Sequence, residues 1–260
     1  MTIEVLYRYL SERVPCALRA EWDNDGLACC PIENAPVKRV LVALDATEAV
    51  VDRAVTGGFD LLLTHHPLLF RGVKELTPSR TVPRKLLKLA RAGVAAISLH
   101  TRLDAVEGGV NDILADKLGL VDAVPFGPAG EVACGRVGRL PSPVDAADLA
   151  AHVCDVLDIP AVLRAGEGEV RTVAVLGGEG GDFVEAARAA GADLFVAGRI
   201  GYHRMLDGAE DGLVLIEAGH FATEVPVCEA LAAMLREADP TLEIEVLTSP
   251  AITFTERKRS

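Results

Sequence analysis

Short apolar runs alternate with helix-like stretches in the first half of this chain, and this alternation limits the possible folds more than any other feature. After each run, apolar residues recur at the three- and four-residue spacing of an amphipathic helix. The apolar runs are 40–44, 59–63 and 94–99, and the helical stretches are 47–56, 83–92 and 110–118. Because parallel strands need a long crossover connection, this βαβαβα pattern predicts a mainly parallel, buried sheet.

The second half repeats the alternation after a segment rich in Pro and Gly at 125–130, which predicts a domain boundary there. Its apolar runs are 134–140, 170–176, 192–197 and 213–218, and its helical stretches are 145–157, 182–190 and 225–237. We therefore expect an α/β protein with two lobes, residues 1–125 and 126–240. A last strand at 242–247 and a charged tail at 256–260 lie in the segment 241–260, whose lobe the sequence leaves open.

Composition excludes several classes of protein. The chain has 260 residues, of which 50% are hydrophobic, so it has enough apolar material for one large or two small cores. Its net charge of -12 disfavours a broad nucleic-acid interface, which needs clustered Lys and Arg. It shows neither a signal peptide nor an apolar run of membrane-spanning length, so we expect a cytoplasmic protein. The six cysteines form no C-x-x-C pair, and the neighbours Cys29 and Cys30 are predicted to be free thiols.

Two adjacent histidines, His65 and His66, stand where the second apolar run of the first lobe ends. Ligands bind beyond the carboxyl ends of strands in open α/β sheets, and imidazole is the commonest metal ligand. Adjacent residues of a strand point to opposite faces, so the two rings are better suited to two different ions than to one. In the alternative interpretation, one histidine caps the strand and the other packs.

Other candidate ligands also follow apolar runs. Asp104 comes after the next predicted strand, although Asp at such a position also caps helices. His100, at the same strand end, is either a ligand or a residue that orients one. His220 and Glu224 have the i, i+4 spacing that places both on one helix face, and a solvated pair is the alternative.

Three further segments carry polar groups or glycines at the ends of predicted strands. The glycine-rich segment 177–181 could hold an anion, but a tight strand-to-helix connection is the favoured interpretation. Arg199 and His203 follow another strand and are candidates for contact with a substrate. Asp23 either orients groups near the site or caps a turn, and the only Trp, Trp22, is expected to be a packing anchor.

The order and spacing of six motifs resemble the NIF-three-like dinuclear metal centre proteins, also called GTP cyclohydrolase I type 2 homologues. The resemblance extends over nearly the whole chain. The motifs are EWDNDGL (21–27), LTHHP (63–67), HTRLD (100–104), GVND (109–112), GRIGYH (198–203) and EAGHFATE (217–224). Two residues depart from the family pattern: Arg102 stands where Asn is frequent, and Arg199 where an acidic residue is common. These departures predict a change in the charge that faces a substrate.

The resemblance implies a site for two divalent metal ions between two α/β lobes. The implied metal ligands are His65, His66, Asp104, His220 and Glu224. Zn, Fe, Mn, Co and Ni all accept such ligands, so the identity of the metal stays open. The resemblance also implies a toroidal homohexamer, a trimer of dimers.

Two functions fit these residues. The first is a metal-dependent hydrolase in which the ions activate a bound water, with Asp104 or Glu224 bridging them. His100 and His203 are then candidates for a supporting role or for proton transfer, and the substrate is a small molecule such as GTP, another nucleotide or a phosphoester. The second is a hexameric metal-binding protein without enzymatic activity, acting in regulation or as a scaffold.

Overall fold

The computed structural model describes residues 1–253, and the predicted charged tail at 256–260 lies outside this range. The strands are β1 (Gly26–Cys29), β2 (Arg39–Ala43), β3 (Leu61–Thr64), β4 (Ala95–Ser98), β5 (Val121–Phe126), β6 (Gly135–Asp145), β7 (Leu163–Ala165), β8 (Glu169–Glu179), β9 (Leu194–Arg199), β10 (Val214–Glu217) and β11 (Glu243–Leu247). The α-helices are α1 (Ile3–Arg13), α2 (Glu48–Thr56), α3 (Thr81–Ala92), α4 (Thr101–Ala105), α5 (Val110–Lys117), α6 (Ala146–Leu157), α7 (Val184–Ala189), α8 (Tyr202–Glu210), α9 (His220–Glu224) and α10 (Val227–Ala238). No helix within residues 1–253 has the length and apolar character needed to span a membrane.

The first sheet has the strand order β1-β4-β3-β2-β11. Its four strands β4, β3, β2 and β11 are parallel, and only β1 runs antiparallel to its neighbour. Ala43 pairs with Thr64, and Thr64 with Ser98, so β2, β3 and β4 end side by side. The residues that follow these strands therefore meet at one edge of the sheet, as the alternating pattern predicts for parallel strands.

The second sheet has the order β5-β6-β8-β9-β10-β7 and is more mixed than the sequence predicted. Only β8, β9 and β10 are parallel to one another, and the other pairings are antiparallel. The edge strands β5 and β7 were not predicted. Most of their side chains are exposed, so they lack the apolar run that marks a buried strand.

The lobes are not consecutive pieces of the chain, so the predicted boundaries at 125/126 and 240 differ from the structure. Strand β5 already belongs to the second sheet, whereas helix α10, expected in the second lobe, packs in the core of the first sheet. Strand β11, whose lobe was open, joins the edge of the first sheet beside β2. The second lobe is thus inserted between two parts of the first. An apolar helix face shows that a helix is packed, but not which sheet covers it.

Candidate metal site

Five residues predicted as metal ligands come together between the two lobes. The first lobe provides His65 and His66 after β3 and Asp104 in α4, and the second provides His220 and Glu224 at the two ends of α9. Nitrogen and oxygen atoms of these residues and of His100 form three groups. Within each group, the candidate ligand atoms lie within 4.8 Å of one another. The groups are His65 with Asp104 and Glu224, His66 with His220 and Glu224, and His65 with His66 and His100.

Glu224 is at the centre of this cluster and is almost fully buried. Its Oε2 lies 3.0 Å from His66 Nε2 and 3.1 Å from His220 Nε2, whereas its Oε1 lies 3.8 Å from His65 Nε2. Asp104 Oδ1 is 3.5 Å from the same nitrogen of His65. The two oxygens of Glu224 therefore face different histidines, and one carboxylate is shared by two of the three groups.

Hydrogen bonds fix the orientation of both adjacent histidines. His65 Nδ1 donates to the Leu99 carbonyl oxygen at 2.9 Å, and His66 Nδ1 donates to Asp45 Oδ1 at 2.8 Å. With Nδ1 used as the donor, each ring presents the lone pair of Nε2 to the cluster, which is the usual arrangement around metal-bound histidine. Asp45 lies two residues after the end of β2.

Buried atoms in the cluster have the chemistry that a metal ion requires. His65 Nε2 and Asp104 Oδ1 are buried, and neither has a hydrogen-bond partner within residues 1–253. Each such atom costs about 1–3 kcal/mol when nothing compensates it. Imidazole nitrogens with carboxylate oxygens are a ligand set that Zn, Fe, Mn, Co and Ni all accept. The residues therefore fit divalent metal ions.

The titration of the cluster reflects its buried negative charge. Burial raises the pKa of Asp104. Burial would also raise the pKa of Glu224, but the imidazoles of His220, His65 and His66 hold it well below its usual range. Burial lowers the pKa of His66, yet its hydrogen bond to Asp45 and the nearby Glu224 carboxylate outweigh this effect and raise it to about 10. The cluster thus attracts positive charge, either as protons or as metal ions.

Two aspartates of the EWDNDGL motif hold the turn that carries Asp104. Asp23 accepts hydrogen bonds from His100 Nδ1 at 2.9 Å and from the amide and hydroxyl of Thr101 at 3.1 and 2.6 Å. Asp25 Oδ2 accepts from the His100 amide at 3.0 Å and from Arg102 Nε at 2.7 Å. Asp104 is inside α4, and the N-cap of the next helix, α5, is Gly109, so the prediction that Asp104 caps the helix starting near Val110 is wrong.

Arg102 does not face a substrate. Its side chain is 0% exposed, pairs with Asp25 and donates to the Val14 carbonyl oxygen at 2.9 Å. The departure from the family pattern at this position is therefore a change inside the first lobe. Our expectation that Arg102 alters the charge facing a substrate is wrong.

Glycines of the second sheet make room for Glu224. Strand β8 continues through Glu179, so Gly177 and Gly178 lie in the strand and are not the predicted strand-to-helix connection. A Cβ atom on Gly178 would overlap Glu224 Oε1 and lie 3.2 Å from His220 Nε2. Asn111 connects the lobes beside them, because it donates to the Asp104 carbonyl oxygen at 3.1 Å and accepts from the Gly177 amide at 2.7 Å.

We expect Gly178→Ala to lower metal binding sharply while the protein stays folded. The added methyl group displaces Glu224, and the positive φ of 72° adds about 1–2 kcal/mol of backbone strain. Gly191→Ala is the matched control, since its φ is 81° and its Cβ would have no neighbour within 4 Å. Metal content by mass spectrometry and a thermal melt should separate the two variants. Equal metal content in both would contradict the steric role of Gly178.

Two other predicted candidates, Arg199 and His203, are not part of the ligand groups described above. Both are exposed, and His203 belongs to none of the three groups. The GRIGYH segment is instead held by Glu217 Oε2, which accepts the amides of Ile200 at 2.7 Å and Gly201 at 2.9 Å.

Trp22 is exposed, and it therefore differs from the packing anchor that the sequence predicted. Its side chain is 62% exposed, and its ring lies 5.9 Å from that of Phe70 and 6.0 Å from that of His100. Cys29 and Cys30, by contrast, are free thiols, as expected.

Comparison with known proteins identifies the family of the chain. Residues 1–253 match the family described as Duf34/NIF3 (NGG1p interacting factor 3). A Streptomyces coelicolor protein named GTP cyclohydrolase 1 type 2 homolog is 38% identical over 232 residues, covering 85% of this chain and 81% of the relative. A Clostridium perfringens protein of the same name is 32% identical over 244 residues, covering 91% and 92%. The crystal structure of a Bacillus cereus protein related to NIF3 shares the fold, with a TM-score of 0.89, 22% identity and 99% of each chain covered.

The fold and the site define a class of protein. It is an α/β protein with two β-sheets and a buried cluster of histidines and carboxylates between them, to which both lobes contribute. Within that class, the chain belongs to the Duf34/NIF3 family. The family resemblance inferred from the six sequence motifs is confirmed, and so is the two-sheet α/β fold.

Proposed function

We propose that the cluster binds two divalent metal ions that share Glu224. One ion is held by His65, Asp104 and Glu224, and the other by His66, His220 and Glu224. The observation that carries this proposal is the position of the Glu224 carboxylate, whose two oxygens face different histidines. The adjacency of His65 and His66 supports it as well, because neighbouring rings serve two ions more easily than one.

We further propose that the protein is a hydrolase acting on a small molecule. Metal ions at such sites lower the pKa of a bound water and polarise a substrate oxygen. The names of the relatives, GTP cyclohydrolase 1 type 2 homolog, support a nucleotide or another phosphoester as the substrate class. The resemblance to the family also supports assembly as a homohexamer, and a mass in solution six times that of the 27.4 kDa chain is the test of that assembly.

His100 is the residue that we propose for proton transfer. Burial would raise the pKa of Asp23, but hydrogen bonds from His100 and Thr101 lower it to about 2, so Asp23 stays ionised at neutral pH. The Asp23 carboxylate holds His100 Nδ1 as the donor and leaves Nε2 free to accept a proton. The ring of His100 lies 5.6 Å from that of His66. His203 is exposed and belongs to none of the three ligand groups.

We expect His100→Gln to lower turnover by about 10²–10⁴-fold, the usual contribution of an acid–base group, with metal content unchanged. His203→Gln should keep wild-type turnover. Both variants would be assayed as metal-loaded protein on a panel of nucleotides, phosphomonoesters and amides. Full metal content without turnover of any substrate by the wild type would contradict the hydrolase proposal and favour a metal-binding protein without enzymatic activity. Equal losses in the two variants would contradict the role of His100.

A further inference from the structure

A cavity of about 870 Å³ lies directly beside the cluster of candidate metal ligands. It is lined by His66 of the cluster and by Asp45, by residues of the loop 67–80 and by the start of α3. Its volume is typical of pockets that bind small organic molecules. The cavity therefore gives a ligand direct access to His66.

Positive side chains line this cavity although the protein as a whole is acidic, with a net charge of -12. The cations are Arg71, Lys74, Arg80 and Lys85, and the acids are Asp45 and Glu75. Each acid already has a partner, since Asp45 pairs with His66 and Glu75 with Arg80. Within residues 1–253, the other three cations, Arg71, Lys74 and Lys85, pair with no carboxylate.

Lys85 is held in place more firmly than an ordinary surface lysine. It is half-buried, and its Nζ donates to the Ala46 carbonyl oxygen at 2.5 Å, at the exit of β2. Burial lowers the pKa of this amine, so a nearby anion would stabilise its charged form. The amine thus lines the cavity without a direct carboxylate partner.

The start of helix α3 adds positive electrostatic potential to the same cavity. No side chain caps this twelve-residue helix, and Val82 and Pro83 of its first turn line the cavity. The N-terminus of a helix carries a partial positive charge and free amide donors, which together favour an anion. The helix start and the three unpaired cations therefore both favour the binding of an anion.

An aromatic side chain also lines the cavity. Phe70 lines it and is 49% exposed, and its ring lies 5.9 Å from that of the exposed Trp22 and 6.2 Å from that of His100. Exposed aromatic rings beside a polar pocket offer surfaces on which a planar ring stacks. The cavity therefore combines cationic side chains and an aromatic ring next to the cluster.

We propose that this cavity is the substrate-binding subsite for an aromatic organic phosphate. Lys85, Arg71 and Lys74 hold the phosphate, and Phe70 contacts the ring. The proposal rests on the proposed metal-dependent function, because it names the cavity and the residues that bind the substrate of that same site. A phosphate group, with a charge close to -2, suits three unpaired cations better than a neutral ligand does.

The test is a calorimetric titration of metal-loaded protein with phenyl phosphate, and with benzyl alcohol as the neutral probe. We expect wild type to bind phenyl phosphate and to ignore benzyl alcohol. Lys85→Met and the double variant Arg71→Gln/Lys74→Gln should each raise the Kd at least about tenfold, with metal content unchanged. The double variant alters exposed side chains only, so it keeps the fold. Arg8→Gln/Lys117→Gln removes the same charge from exposed positions elsewhere and should leave the Kd unchanged.

Wild-type affinity in both cavity variants would overturn the proposal, and so would an equal loss in the control pair, because net charge would then explain the effect. The outcomes for the metal site are separate. If wild type binds two ions and phenyl phosphate but hydrolyses no organic phosphate, the hydrolase proposal fails and the subsite stands. If wild type binds no metal, the metal proposal fails, and the same titrations on that protein still decide the subsite.

Discussion

Glu224→Gln should leave a folded protein that retains little or no metal. Glu224 belongs to two of the three ligand groups, so its loss affects both proposed ions at once. Glutamine has nearly the same size, but it is neutral and offers only one oxygen. It therefore cannot bridge two cations, nor can it balance their positive charge. No other single substitution in the cluster is expected to remove as much metal.

The measurement is metal content per chain after purification in a medium supplemented with Zn, Fe, Mn, Co and Ni. Glu229→Gln is the matched control, because Glu229 is exposed on α10 and the chemical change is identical. Circular dichroism shows whether both variants are folded. Two ions retained by folded Glu224→Gln protein would contradict the shared position of Glu224.

Asp25→Ala should destabilise the protein by about 3–5 kcal/mol, the usual cost of removing one partner from a buried ion pair. Arg102 and the side chain of Asp25 are both completely buried, and the bond between them measures 2.7 Å. Without Asp25, the guanidinium of Arg102 keeps its charge in the interior. The His100 amide also loses an acceptor, so the turn before Asp104 is weakened.

Urea denaturation provides the free energy of unfolding for this comparison. Glu185→Ala is the control, because its pair with Arg188 is exposed and contributes about 0–1 kcal/mol. The double variant Asp25→Ala/Arg102→Met should recover much of the stability, since it removes the unpaired charge as well. A loss by Asp25→Ala no larger than that of Glu185→Ala would contradict this account of Arg102.

The sequence predicted the parts of the fold that depend on buried parallel strands. Such strands are covered on both faces, so β2, β3 and β4 appear as continuous apolar runs, and polar residues at their ends stand out. His65 and His66 follow β3 directly, and α9 begins at His220, as the i, i+4 spacing with Glu224 required.

Features that depend on partners distant in sequence were not predictable in the same way. The apolar face of α10 gave no sign that it packs on the first sheet, because any sheet offers a similar surface. Gly177 and Gly178 were read as a loop, since the close approach of Glu224 involves a residue far along the chain. Two adjacent glycines after an apolar run were the only signal. The lack of carboxylate partners for the cations around Lys85 could not be predicted from the sequence. It is recognised only when the structure shows which partner each nearby carboxylate has.

The insertion of the second lobe into the first determines when a metal site can form during synthesis. His65, His66 and Asp104 leave the ribosome long before His220 and Glu224, and β11, which completes the first sheet, comes later still. A nascent chain that ends before His220 holds only three of the five proposed ligands, so it has little advantage over other cellular ligands in competing for an ion. For the two ions proposed above, loading therefore belongs to the finished protein, and the metal supply that it meets after release would select the ion.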